Sequence, residues 1–157
     1  MKVLNRVKRR VVSRLHIALS RRLGLTDDSR RTVGQTVRHN RHVLAAAYIF
    51  GSGIEIGGLD RPLLVTNGAR VKYVDRLSGE DLEDHYSGAG QPQVKRRGIK
   101  APDIVSDGQT LEPIPDCSQD FVIANHVIEH FPNPLMFLKN AFRVLKLRGI
   151  LFLSIQN

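Results

Sequence analysis

The chain has 157 residues, 41% of them hydrophobic and 25% charged, with a net charge of +9 and a single cysteine. That length holds one domain with a core of its own, and no apolar run reaches the ~18 residues that a transmembrane helix requires. Cys117 alone can form neither an internal disulfide nor a zinc site, and no apolar stretch follows the first basic residues as a secretory signal would demand.

These features predict a cytoplasmic protein without a metal centre. The charge is uneven, however. Residues 1–50 hold 12 Lys and Arg against 2 Asp, whereas residues 51–157 hold 12 against 13 Asp and Glu. The reading is a basic helical arm, 1–50, followed by a nearly neutral body, 51–157.

In the arm, Val3, Leu4, Val7, Val11, Leu15, Ala18, Leu19 and Leu23 recur mostly at threes and fours, which predicts an amphipathic helix over 2–25. Lys8, Arg9, Arg10, Arg14, Arg21 and Arg22 crowd its other surface. Gly24 stops it. A second helix is predicted from Ser29 to Ala47, with Asp28 or Ser29 as its N-cap.

The pattern changes after Phe50. Residues 53–56 read as a buried strand that ends in the glycine turn Gly57-Gly58. Val71–Asp75 is a second strand with an acidic last residue. Ser78 caps a short helix that runs to Tyr86, and residues 87–102 form a loop. Ile104-Val105 is a short third strand and Phe121–Ala124 an apolar fourth. Pro134 suits the first turn of a helix that reaches Leu145, and Ile150–Ile155 is a fifth strand. Strands alternating with helices imply an α/β protein with a parallel sheet.

Four places in this body could carry chemistry. A buried strand running into Gly57 and Gly58 lets backbone N–H groups approach a ligand, although a plain strand-to-helix turn would use the same glycines. Asp75, 20 residues after Glu55 and at the tip of the next strand, could accept hydrogen bonds from ribose hydroxyls, or it could be a solvated strand end. Asp107-Gly108 follows the third strand, where an Asp could meet an adenine amino group or simply form an Asp-Gly turn. The fourth is the run from Asp116 to His130. In it, adjacent Glu129 and His130 do not share a helix face and so are poorly placed to chelate together.

The ordered set Asp120-Phe121-Val122, His126-Val127-Ile128-Glu129-His130, Asn133-Pro134 and Arg143-Val144-Leu145-Lys146-Leu147-Arg148-Gly149-Ile150 resembles the fourth-to-fifth-strand region of class I S-adenosylmethionine-dependent methyltransferases of the small-molecule type. With the glycine turn and Asp75, the resemblance covers residues 53–157. A narrower likeness, carried by Glu55–Leu63 and Tyr73–Arg76, is to a bacterial methyltransferase group often linked with glycosyltransferases.

The resemblance implies a three-layer Rossmann-like sheet of order 3-2-1-4-5, preceded by N-terminal helices. The last two strands of the family fold would be missing, leaving the fifth strand as an edge. It further implies that Glu55 orders the glycine turn and that Gly57 and Gly58 lie against the methionine part of the cofactor. Asp75 would bind the ribose, and Asp107 with the backbone at Gly108 would meet the adenine. The main chain of Asn125 and the side chain of His126 would sit beside the sulfonium. His126 is also the candidate general base, while His130 would close the loop after the strand.

Two departures from the family pattern stand out. Asp60 replaces the usual third glycine of the first turn, and Leu147-Arg148 replaces the usual Pro-Gly before the fifth strand.

The expected function is methyl transfer to a small-molecule, saccharide or lipid-linked acceptor. The alternative is an inactive methyltransferase-like fragment that binds the cofactor or a partner protein. For the arm, three roles are open: packing over the cofactor cleft, lying on an anionic membrane through residues 1–25, or binding nucleic acid. The lack of interleaved aromatics counts against the last. The oligomeric state is not legible.

Overall fold

The computed structural model describes residues 33–65, 68–88 and 98–155. The expected helix over 2–25, the cap at Asp28 or Ser29 and most of the 87–102 loop lie outside these residues. The chain divides into two compact units, Met1–Ala47 and Tyr48–Asn157. Helix α1, Val33–Tyr48, belongs to the first but for its last residue, and it carries no acidic residue in its first turn.

In the second unit the order is β1 (Ser52–Ile56), β2 (Arg70–Asp75), α2 (Gly79–Gly88), β3 (Ile104–Val105), β4 (Gln119–Asn125), a 3₁₀ turn (Ile128–His130), α3 (Pro134–Val144) and β5 (Leu145–Ser154). The five strands form one sheet of order β3-β2-β1-β4-β5. Every pairing is parallel. The architecture is therefore the Rossmann-like one that the resemblance implied.

The middle of the sheet is buried because its strands are continuous apolar runs, as parallel strands covered on both faces must be. Phe121, Val122, Ile123 and Ala124 of β4 are all fully buried. Side chains alternate across a strand. Ile54, Ile56, Val122 and Ala124 accordingly share a core cluster with Phe137, Ala141 and Val144 of α3. Those three recur at i, i+4 and i+7, the spacing of one helical face.

Helix α3 starts where the sequence placed it. Asn133 accepts a hydrogen bond from the Met136 N–H at 3.1 Å, and Pro134 occupies the first turn. Such a cap is worth about 1 kcal/mol. Ser78 does the same for α2, its Oγ accepting from the Asp81 N–H at 3.2 Å.

One expectation is corrected. The fifth strand begins at Leu145, directly after α3, and not at Ile150. Gln119 pairs with Leu145 but Phe121 already pairs with Ile150. The residues between bulge away from β4, and Leu147 is 94% exposed at their tip. Arg148 holds φ at +67° there. It adopts the left-handed conformation that a glycine would take at lower cost, so the departure from Pro-Gly is absorbed as local strain.

Candidate functional site

The carboxyl ends of β1, β2, β3 and β4 open into one cleft of about 620 Å³, within the ~300–1,000 Å³ usual for small-molecule sites. An open α/β sheet places its ligand at this end, where the strand order reverses.

The first wall is the turn after β1. Gly57 has φ +66°, and a Cβ there would stand 3.1 Å from Val127 Cγ2. Only glycine combines this conformation with that approach. The Gly57 N–H donates to the Val74 carbonyl at 3.0 Å, and the Arg61 N–H closes the turn on the Gly58 carbonyl at 2.9 Å. The second left-handed residue of the turn is Leu59, at φ +40°. Asp60 is not among the left-handed residues, so a glycine in its place is not required.

Glu55, only 1% exposed, lies beneath this turn. Both of its carboxylate oxygens accept from the Leu63 N–H, at 2.9 and 3.0 Å. That contact ties the far end of the turn to β1 and fits the ordering role that the resemblance implied. Glu55 does not line the cleft. Gly58 does not either: a Cβ on it would meet the Tyr73 ring at 3.0 Å. The Tyr73 ring in turn lies 4.8 Å beneath Lys100 Nζ. Burial first, then the charges of Glu55 and Asp103, raise the Tyr73 hydroxyl above its usual pKa.

The second wall is the tip of β2. Asp75 lines the cleft, and its Oδ1 accepts from the Leu77 N–H at 3.3 Å. A carboxylate has about four lone-pair sites, so this bond leaves capacity for further donors. The third wall follows β3. Asp107 Oδ1 accepts from the Gln109 N–H at 2.7 Å. Gly108 packs so closely that a Cβ would fall 2.8 Å from Phe131 and 2.9 Å from Ile56.

The fourth wall is the end of β4. The His126 N–H donates to the Ser154 carbonyl at 2.9 Å, which continues the sheet one residue past the strand. Asn125 Oδ1 accepts from Ser154 Oγ at 2.7 Å, and its side chain is not part of the lining. His126 has φ +55°, a conformation uncommon for a residue with a side chain and typical of functional turns. Its Nδ1 lies 3.7 Å from Glu129 Oε1.

The cleft thus brings together Gly57, Asp75, Asp107, Gly108 and His126, with His130 beside them. Glu55, Gly58 and the Asn125 side chain stand behind it. The sequence reading missed one wall, in which Arg76, Leu82, His85 and Tyr86 face the cleft from β2's end and α2. Leu82 and Tyr86 are one turn apart on α2, and that spacing was the available signal.

Glycine approach, acidic strand tips and a convergent crevice define the site as one for a nucleoside-type ligand in a Rossmann-like sheet. Residues 57–153 match the family described as methyltransferase domain. The chain belongs to that family and is a class I S-adenosylmethionine-dependent methyltransferase domain.

Among solved structures, it is similar to an arsenic(III) S-adenosylmethionine methyltransferase from Chlamydomonas reinhardtii. The identity is 24% and the TM-score 0.46, over 68% of this chain and 38% of that one. It is also similar to a SAM-dependent methyltransferase from Aquifex aeolicus, at 20% identity and a TM-score of 0.44, over 82% of this chain and 67% of that one. The chain spans 38–49% of the length of the algal enzyme and of three further matched structures. No curated protein matches it.

The residues present fit the cofactor that the family implies. Gly57 leaves open the space that a Cβ would take beside Val127, and Asp75 and Asp107 offer carboxylate oxygens at two strand tips around the same cleft.

Proposed function

We propose that the protein transfers a methyl group from S-adenosylmethionine to a small-molecule, saccharide or lipid-linked acceptor. The observation that carries this is the convergence of Gly57, Asp75, Asp107, Gly108 and His126 on one cleft. Bound there, the cofactor would supply an electrophilic methyl group together with its own leaving group. What remains for the chain is to hold, orient and exclude water. Asp75 would accept from the ribose hydroxyls and Asp107 from the adenine amino group. The glycine turn, held down by Glu55, would fix the methionine end, and the wall of Leu82, His85 and Tyr86 would face the acceptor.

The composition of the arm supports a place at an anionic membrane surface for residues 1–25, on the cytoplasmic side. Each Lys or Arg near such a surface adds about 1 kcal/mol. Among the described residues, no helix is long and apolar enough to cross a membrane.

Thermal unfolding with added nucleotides tests the cofactor reading. Ligands that bind only the folded state raise Tm by mass action. S-adenosylhomocysteine is expected to raise the midpoint in a concentration-dependent way, while ATP and NAD leave it unchanged. Equal shifts with all three would reject the assignment.

A further inference from the structure

We propose that His126 is the group that takes the proton of the methyl acceptor, that Glu129 is its positioning residue, and that the acceptor therefore presents a hydroxyl. The inference deepens the methyltransferase reading and rests on it.

Four observations lead there. His126 lines the cleft, with its side chain 37% exposed. Its Nδ1 is buried and makes no hydrogen bond among the described residues. That buried edge faces Glu129 Oε1 at 3.7 Å, one 3₁₀ turn further along. The backbone holds His126 at φ +55°, a conformation that costs energy and persists only where its surroundings impose it.

The ring thus turns one nitrogen edge toward a carboxylate, while the residue lines the cleft with a partly exposed side chain. At 3.7 Å the contact is too long for a hydrogen bond with neutral imidazole. A positive charge on the ring would draw the carboxylate in, because charge-assisted pairs are shorter and stronger. Glu129 is thus placed to orient the ring and to meet the positive charge that it gains on accepting a proton in the transition state.

Proton removal matters for one acceptor class above others. A neutral amine or thioether attacks through a lone pair it already has, whereas a hydroxyl is a weak nucleophile until a base takes its proton. In the step assigned here, the acceptor oxygen bonds to the methyl carbon and the carbon–sulfur bond breaks. The electron pair of that bond goes to sulfur, and the hydroxyl proton goes to the His126 imidazole. No oxidant or further reactant is needed. The other ionisable side chains around the cleft are Asp75, Arg76, His85, Tyr86, Asp107 and His130.

The test is nitrogen-15 NMR of the imidazole rings in the full chain saturated with S-adenosylhomocysteine. The His126→Ala variant identifies the resonances. In Glu129→Gln, the ring nitrogens of His126 are expected to shift as Nδ1 loses the facing carboxylate. Glu129→Asp is expected to restore most of the original positions. Resonances unchanged in Glu129→Gln would overturn the pairing. Methyl transfer to a thioether or a tertiary amine at a rate unaffected by His126→Ala would overturn the acceptor assignment. Failure of the wild-type chain to bind S-adenosylhomocysteine is a separate result and would reject the underlying methyltransferase reading.

Discussion

The N–H of Leu63 donates to both carboxylate oxygens of Glu55, at 2.9 and 3.0 Å, across a buried gap of eight residues. The glycine turn lies between the two. A buried carboxylate is costly unless hydrogen-bonded, and here it fastens the loop that forms one wall of the cleft. Replacing Glu55 by Ala should remove the anchor and lower stability by about 2 kcal/mol, the usual worth of a hydrogen bond to a charged group. Urea denaturation measures the loss. An unchanged midpoint would show that the turn is held by its glycines alone.

Gly57 is under a double constraint, from its φ of +66° and from Val127 at 3.1 Å. A left-handed conformation costs a residue with a Cβ about 1–2 kcal/mol. Gly57→Ala is therefore expected to destabilise by that amount and to weaken S-adenosylhomocysteine binding about tenfold or more, as the cleft wall shifts. Full affinity in the variant would place the cofactor elsewhere.

Arg143 fastens a segment that the sequence reading left unexplained. Its guanidinium donates to the carbonyls of Thr110, Leu111 and Ile114 at 3.0–3.1 Å, to Asp116 at 2.6 Å and to Asn140 at 3.1 Å. These five bonds match the five N–H donors of arginine in their fixed fork. Lysine has three donors and no fork. Arg143→Lys should cost about 2–3 kcal/mol and loosen residues 110–116, which hydrogen exchange would detect.

Stability should fall at both ends of the pH scale, through two named groups. Asp120 accepts from Lys146 Nζ and from the Ser52 N–H, and these bonds lower its pKa. A lowered folded pKa means that the contribution is present above the ordinary carboxylate value of ~3.9 and is lost as pH drops through the folded value. Tyr73 shifts the opposite way, raised first by burial. Its neutral form suits the fold, so stability declines as pH rises past the ordinary tyrosine value of ~10. Asp120→Asn should flatten the acid limb of the stability profile and Tyr73→Phe the alkaline limb.

The strands were readable because parallel buried strands leave uninterrupted apolar runs, of which Phe121–Ala124 is the clearest, while their order came from the family resemblance. The cleft was readable at Gly57, Asp75 and Asp107 because each sits at a strand tip, which topology alone brings together. Other features depend on long-range contacts that no local pattern encodes. The start of β5 at Leu145 is one, since it needs a bulge of four residues between two pairings. The wall formed by Leu82, His85 and Tyr86 is another, since it needs α2 to meet the strand tips around one cleft. The contact of His126 with Glu129 is local, three residues apart, but it accompanies a left-handed backbone at His126 that histidine does not announce.

The central claim is that Asp75 helps form an S-adenosylmethionine site. The most direct measurement is titration calorimetry of S-adenosylhomocysteine into the full chain and into Asp75→Ala, with circular dichroism to verify that both are folded. Binding in the micromolar range is expected for the wild type, and at least tenfold weaker binding for the variant, a loss of about 1.4 kcal/mol. Equal affinities, or no binding by a folded wild-type chain, would contradict the account.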